Sequence, residues 1–210
     1  MNIRGNVEMN TGNITLAARL WPATTSNWAR AALLAVCGSL VVAAAAQISV
    51  PMFPVPMTLQ TLAVLGVGAA YGSRLGAATL ALYALEGLVG LPFFAGGQAG
   101  FYQDGVLISS GGYIIGFIVA AALVGWLAEK GWVRSPVKMV AAAVMAGVVL
   151  YVPGLIWLAV WAAKTQSMDT GTAIQAAISW GLIPFVLGDV IKAVVAGLGV
   201  SGAFKLESGE

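Results

Sequence analysis

Two ionisable residues stand three positions apart in an otherwise apolar run near the end of the chain, Asp189 and Lys192 within PFVLGDVIKA, Pro184 to Ala193. A charge at the centre of a bilayer costs between ~2.5 and ~17 kcal/mol, so such a pair must be shielded, neutralised or used. On a helix the two share a face, where they could serve each other or clasp a ligand that offers N–H donors and a negative oxygen. Glu86, in the apolar run ALYALEGLVG, could join them in a proton or ion pathway, or be a buried protonated or hydrogen-bonded carboxyl. Ser109, Ser110 and Ser179 could pair with Lys192 in a Ser-Lys hydrolase. The chain has no histidine and one cysteine, Cys37. It shows no metal-ligand spacing, Gly-x-Ser-x-Gly elbow or nucleotide-binding glycine loop, so metal hydrolysis, histidine-assisted attack and autonomous ATP use lose support. No metal and no cofactor are expected.

The elements that hold these residues must lie in a membrane. Of 210 residues 60% are hydrophobic and 9% charged, with a mean hydropathy of +0.91, too little polar surface to cover a soluble globule of this size. The net charge of +2 is scattered, and no basic run interleaved with aromatics offers a nucleic-acid surface. Cys37 has no partner for an intrachain disulfide and reads as a small packing residue.

Apolar stretches run from Ala31 to Val50, Leu59 to Tyr71, Leu75 to Phe94, Gly112 to Leu127, Val140 to Ala163 and Pro184 to Phe204. Most approach the ~20 residues needed to cross a bilayer, and the second is shorter. Pro51, Pro54 and Pro56 separate the first two. Ala173 to Ile183 reads as a partial helix in an outer loop, cut off by Gly181 and Pro184. Arg30, Arg74, the group Lys130, Arg134 and Lys138, and Lys205 fall in every second loop, while the opposite loops carry only Lys164. The expectation is therefore an all-α membrane protein, a bundle of six transmembrane helices with both termini cytoplasmic. Residues 1–29 read as a mobile cytoplasmic tail without a signal peptide, with Leu16, Leu20 and Trp21 as an alternative surface segment. Residues 30–206 form the membrane domain and 207–210 a C-terminal tail. Glycines four apart, Gly68 with Gly72, Gly72 with Gly76 and Gly112 with Gly116, suit close helix packing, and Ala31 with Ala35 offers a smooth face for another membrane subunit.

On the outer side of this topology gather Thr58 and Gln60, then Gln98, Tyr102, Gln103, Asp104 and Tyr113, and finally Asp189 and Lys192. An apolar cup with a few convergent polar groups suits a small molecule. The ordered motifs VPMTLQT (Val55 to Thr61), GLVGLPFFAGGQAG (Gly87 to Gly100), GGYIIGF (Gly111 to Phe117) and PFVLGDVIKA resemble the BioY family, the biotin-binding S components of energy-coupling-factor transporters. The resemblance covers nearly all of the chain from Arg30 onward. It implies six membrane helices around an outward-facing pocket in the bacterial cytoplasmic membrane. Biotin is then the transported ligand, met by Asp189, Lys192, Thr58 and Gln60, with Gln98 standing in for a lid asparagine and Leu91 to Ser110 as the lid. The biotin ring would pack on Phe93, Phe94 or Tyr113. Ser109 and Ser110 replace the family's Pro-Thr, which keeps a hydroxyl and loses the rigid turn. The resemblance also implies partners, a transmembrane coupling subunit that would dock on Ala31 and Ala35 and two ATPase subunits. It implies no enzyme activity.

Overall fold

The computed structural model describes residues 15–17, 27–103 and 105–208. The expected tail, apart from 15–17 and 27–29, lies outside the described residues, as do Asp104, Gly209 and Glu210.

Seven helices account for most of the described chain: α1 (Asn27–Gln47), α2 (Gln60–Tyr71), α3 (Ser73–Leu88), α4 (Gly111–Glu129), α5 (Pro136–Thr165), α6 (Thr170–Gly181) and α7 (Val186–Ser208). Four of them, α1, α4, α5 and α7, are long and apolar enough to cross a membrane. At ~1.5 Å per residue, the 12 residues of α2 reach little more than half of a ~30 Å hydrocarbon layer. Apolar residues also cover the outside, with Leu40, Val41, Val148, Ile156, Val190 and Leu198 all exposed, as a lipid-facing surface requires.

The core sits around α4, which packs against α2, α3 and α5, while α5 also packs against α6 and α7, and α7 closes on α2. Small residues permit these approaches. A Cβ on Gly68 of α2 would lie 2.7 Å from the Ala121 backbone, and one on Gly116 of α4 would lie 2.6 Å from the Leu150 carbonyl of α5. Such backbone contact is how membrane helices gain packing energy where lipid supplies no hydrophobic drive. Gly72 does something else. It is the single residue between α2 and α3, with φ +87, a left-handed conformation that glycine adopts without strain. The Glu129 carboxylate, at the end of α4, accepts from the Ser73 N–H at 2.7 Å and so caps α3 from a neighbouring helix.

Three local expectations are corrected. The third apolar stretch was read through Phe94, but α3 ends at Leu88, and residues 89–94 turn back over it, with Gly90 at φ +107. Helix α7 begins at Val186 rather than Pro184; Leu182 to Phe185 form a turn whose Leu182 carbonyl accepts from Val186 N–H. The loops after α1 and α3 are also more ordered than an all-helical reading provides. The loop after α1 holds an antiparallel pair, β1 (Ser49–Val50) with β2 (Met57–Thr58). The loop after α3 holds a second, β3 (Tyr102–Gln103) with β4 (Val106–Leu107). Strands of two residues are too short for an alternating pattern to announce them. The partial outer helix expected over 173–183 is α6, capped by Asp169, whose carboxylate accepts from Gly171 N–H at 3.0 Å and Thr172 N–H at 3.2 Å. The bonds to Thr172 hold that acid below the ordinary carboxylate range.

Candidate functional site

The chain before α2 must leave a helix, cross three prolines and re-enter one, and this places Val55, Pro56 and Thr58 over one end of the bundle. Beneath them lies a small cavity of about 50 Å³ with an open mouth. Gln60 and Thr61 of α2 line one side, Tyr113, Ile114 and Phe117 of α4 a second, Leu150 and Tyr151 of α5 a third, and Asp189 and Lys192 of α7 the last. Ala95 and Ser110 close it from the loop after α3, with Phe185 in the turn before α7. Of the sequence-derived site residues, Thr58, Gln60, Tyr113, Asp189 and Lys192 thus come together from three separate parts of the chain.

The charges are paired inside this cup. Lys192 Nζ lies 2.8 Å from Asp189 Oδ1, with the two side chains only 10% and 12% exposed. The Tyr151 hydroxyl donates to Asp189 Oδ2. Each oxygen of the carboxylate therefore has one donor and a free lone pair, and the ammonium has hydrogens left over. The site can accept an N–H bond at Asp189 and donate to a negative oxygen from Lys192. Tyr113 contributes its ring rather than its hydroxyl, because Oη donates to the Gly181 carbonyl at 2.8 Å; the ring stands edge-on to Tyr151 with centroids 6.1 Å apart.

Tyr151 is the residue that sequence reasoning missed. Its only signal was a polar-tipped aromatic inside the apolar stretch 140–163, which reads equally well as packing.

Phe94 and Gln98 do not line the cavity. Phe94 is fully buried and inserts over Gly87, where a Cβ would lie 2.2 Å from its ring. It meets Tyr83 at 5.7 Å and stacks on Phe101 at 6.3 Å, and Phe101 in turn meets Trp157 at 5.4 Å. Half-buried Gln98 accepts at its carbonyl from Phe94 N–H, 3.0 Å away, closing the turn that Phe94 anchors. Both residues shape the covering loop.

That loop is tied down at several points. Trp157 Nε1 donates to the Ile108 carbonyl and Trp161 Nε1 to the Leu107 carbonyl, each at 2.8 Å. Gln47 Nε2 donates to the Phe94 carbonyl at 3.1 Å, while Gln47 Oε1 accepts from Gly97 N–H at 3.1 Å. Ser109 Oγ donates to the Pro54 carbonyl, which joins the loops after α1 and α3 over the cavity.

The other candidate chemistries are less well served. Ser109 is engaged as described, Ser179 Oγ donates to the Gln175 carbonyl at 2.9 Å, and Lys192 holds Asp189. Glu86 does not line the cavity, and its buried Oε2 has no hydrogen-bond partner among the described residues. Ala31 and Ala35 are half-buried on α1, beside the exposed face formed by Leu33, Val36, Leu40 and Val41. Among the described residues no group of acids or cysteines is placed to hold a metal ion.

The chain has counterparts elsewhere. The family whose model matches this chain, over residues 14–208, is the BioY family. A biotin transporter BioY of Thermotoga maritima is 38% identical over 164 residues, covering 77% of this chain and 88% of the relative. One from Rhodobacter capsulatus is 33% identical over 174 residues, 79% of this chain and 88% of that one. Among solved structures, the S component for biotin from an ECF-type ABC transporter superposes with a TM-score of 0.67 at 21% identity, covering 86% of this chain and 95% of that chain. That last likeness establishes the shared membrane fold.

Proposed function

The chain belongs to the BioY family, matched from residue 14 to residue 208, and from that premise we infer that it is the biotin-binding membrane subunit of a biotin uptake system. It is a transport protein and not an enzyme. The observation that carries the inference is the pair Asp189 and Lys192, held 2.8 Å apart in the wall of an otherwise largely apolar cavity. Biotin offers matching chemistry: a ureido ring with two N–H donors and one carbonyl, an apolar sulfur ring, and a tail ending in a carboxylate. Asp189 would accept from the ureido ring and Lys192 would answer a negative oxygen, with Thr58 and Gln60 beside them and the Tyr113 ring against the apolar part. Charge-assisted bonds of this kind contribute about 1.5 to 3 kcal/mol each. Gln98 and Phe94 would act through the covering loop.

Six spans with both termini cytoplasmic remain our reading of the topology, with α1, α2, α3, α4, α5 and α7 as the spans and α6 on the outer side. It is supported by the basic residues in alternate loops, Arg74 after α2 and Arg134 between α4 and α5 among them. The cavity then opens outward, and the protein resides in the cytoplasmic membrane. A chain without a nucleotide site needs help to drive uptake, and a transmembrane coupling subunit docking along α1 near Ala31 and Ala35, with two ATPase subunits, would supply it. The test is equilibrium binding of labelled biotin to the purified full chain. Saturable binding, competed by unlabelled biotin and by no unrelated carboxylic acid, is the expected result, and its absence from well-folded protein would overturn the assignment.

A further inference from the structure

Gln60 lines the cavity and is 5% exposed, and behind it, outside the cavity, stands Tyr83, fully buried. Gln60 Nε2 and the Tyr83 hydroxyl are hydrogen-bonded, and the Tyr83 hydroxyl lies 3.0 Å from the Phe93 carbonyl. A carbonyl oxygen only accepts, so the single hydroxyl proton of Tyr83 goes to Phe93. The Tyr83 oxygen is then an acceptor towards Gln60, and the amide must present its NH₂ to it. The other end of Gln60 agrees. Thr58 Oγ1 accepts from the Gln60 backbone N–H at 3.2 Å, which leaves its proton for Gln60 Oε1, 3.5 Å away. From these donors and acceptors we infer that Tyr83 is a specificity-determining positioning residue: through the Phe93 carbonyl it locks the Gln60 amide so that its oxygen, an acceptor, faces the ligand.

An isolated glutamine amide turns over at little cost and can offer either an acceptor or a donor, so it discriminates poorly. A locked one selects for an N–H on the ligand and opposes a lone pair at that position. Together with Asp189, also acceptor-only when ionised, the cavity holds two acceptors for the two N–H groups of a cyclic urea. The inference rests on the biotin assignment above and adds the group that fixes one end of it.

The experiment compares biotin with two isosteric analogues in which one or the other ureido N–H is replaced by a ring oxygen, using the purified full chain and Tyr83→Phe. Phe93 keeps a donor in this variant, since Gln47 Nε2 lies 3.5 Å from its carbonyl, and the ring of Tyr83 still packs on Phe94. For one analogue the parent is expected to bind roughly 100-fold worse than biotin, because an acceptor then meets an acceptor. In Tyr83→Phe the freed amide turns to offer its NH₂, and the discrimination against that analogue should shrink by about tenfold or more, while the other analogue keeps its parental ratio. Gln47→Ala, which loosens the same loop without touching Gln60, should change affinity for all three ligands alike and leave the ratios in place. Equal ratios in parent and Tyr83→Phe, or a parallel change in Gln47→Ala, would overturn the inference. A parent that binds no biotin would instead overturn the proposed function.

Discussion

Asp189 and Lys192 are partners of each other and, on our reading, of the ligand, and the two roles respond differently to substitution. Removing one member leaves the other buried and uncompensated, whereas removing both also removes the desolvation cost. Lys192→Met and Asp189→Asn should therefore each weaken biotin binding by roughly 2 to 4 kcal/mol, about 30-fold to 1,000-fold, and each should lower thermal stability. The double variant Asp189→Leu, Lys192→Met should regain stability and not binding. Calorimetric titration alongside a melting curve separates the two, and a double variant that binds like the parent would leave the pair a structural one. This pair was legible in the sequence because an acid and a base in an apolar run have few uneventful explanations. Tyr151 and Tyr83 were not. Each is an aromatic residue in an apolar helix, where packing is the ordinary role, and each gains its meaning from a residue far along the chain, Asp189 for Tyr151 and Gln60 for Tyr83.

At the level of elements, hydropathy found the long helices and proline found the break after α1, because both act locally. From its residues alone the covering loop was legible as an interruption rich in glycine, and only the family resemblance made it a lid. What orders it comes from elsewhere: the indole N–H groups of Trp157 and Trp161 on α5 and the amide of Gln47 at the end of α1. A period-based reading assigns those residues to helices and says nothing of what they hold. Their bonds predict a kinetic effect. Trp157→Phe combined with Trp161→Phe keeps two large rings and removes two donors, leaving the Leu107 and Ile108 carbonyls to open more readily. Bound biotin should leave about 5-fold to 30-fold faster with little change in association rate, measured by washout of labelled ligand. An unchanged dissociation rate would mean that this hairpin is not what retains the ligand.

For the molecule as a whole, orientation decides on which side the cavity opens. With Cys37 replaced by alanine, a cysteine at Gln98 should react with an impermeant thiol reagent from outside intact cells, and one at Arg134 only after permeabilisation. The reverse pattern would turn the site to the inside and remove its role in capture. Composition alone placed the chain in a membrane, but it could not say how α2 and α3, separated by one glycine, share the thickness of a bilayer, because that depends on contacts with α4. The two loop-holding indoles have one more consequence. Indole emission depends on what its N–H meets, and among the described residues Trp157 and Trp161 are the tryptophans whose N–H is held by the covering loop. Trp126 and Trp132, near the far end of α4, give a background away from that loop. The protein thus carries its own optical reporter of the covering loop, and its ultraviolet emission should change, without any added dye, when the Leu107 and Ile108 carbonyls release the two indoles.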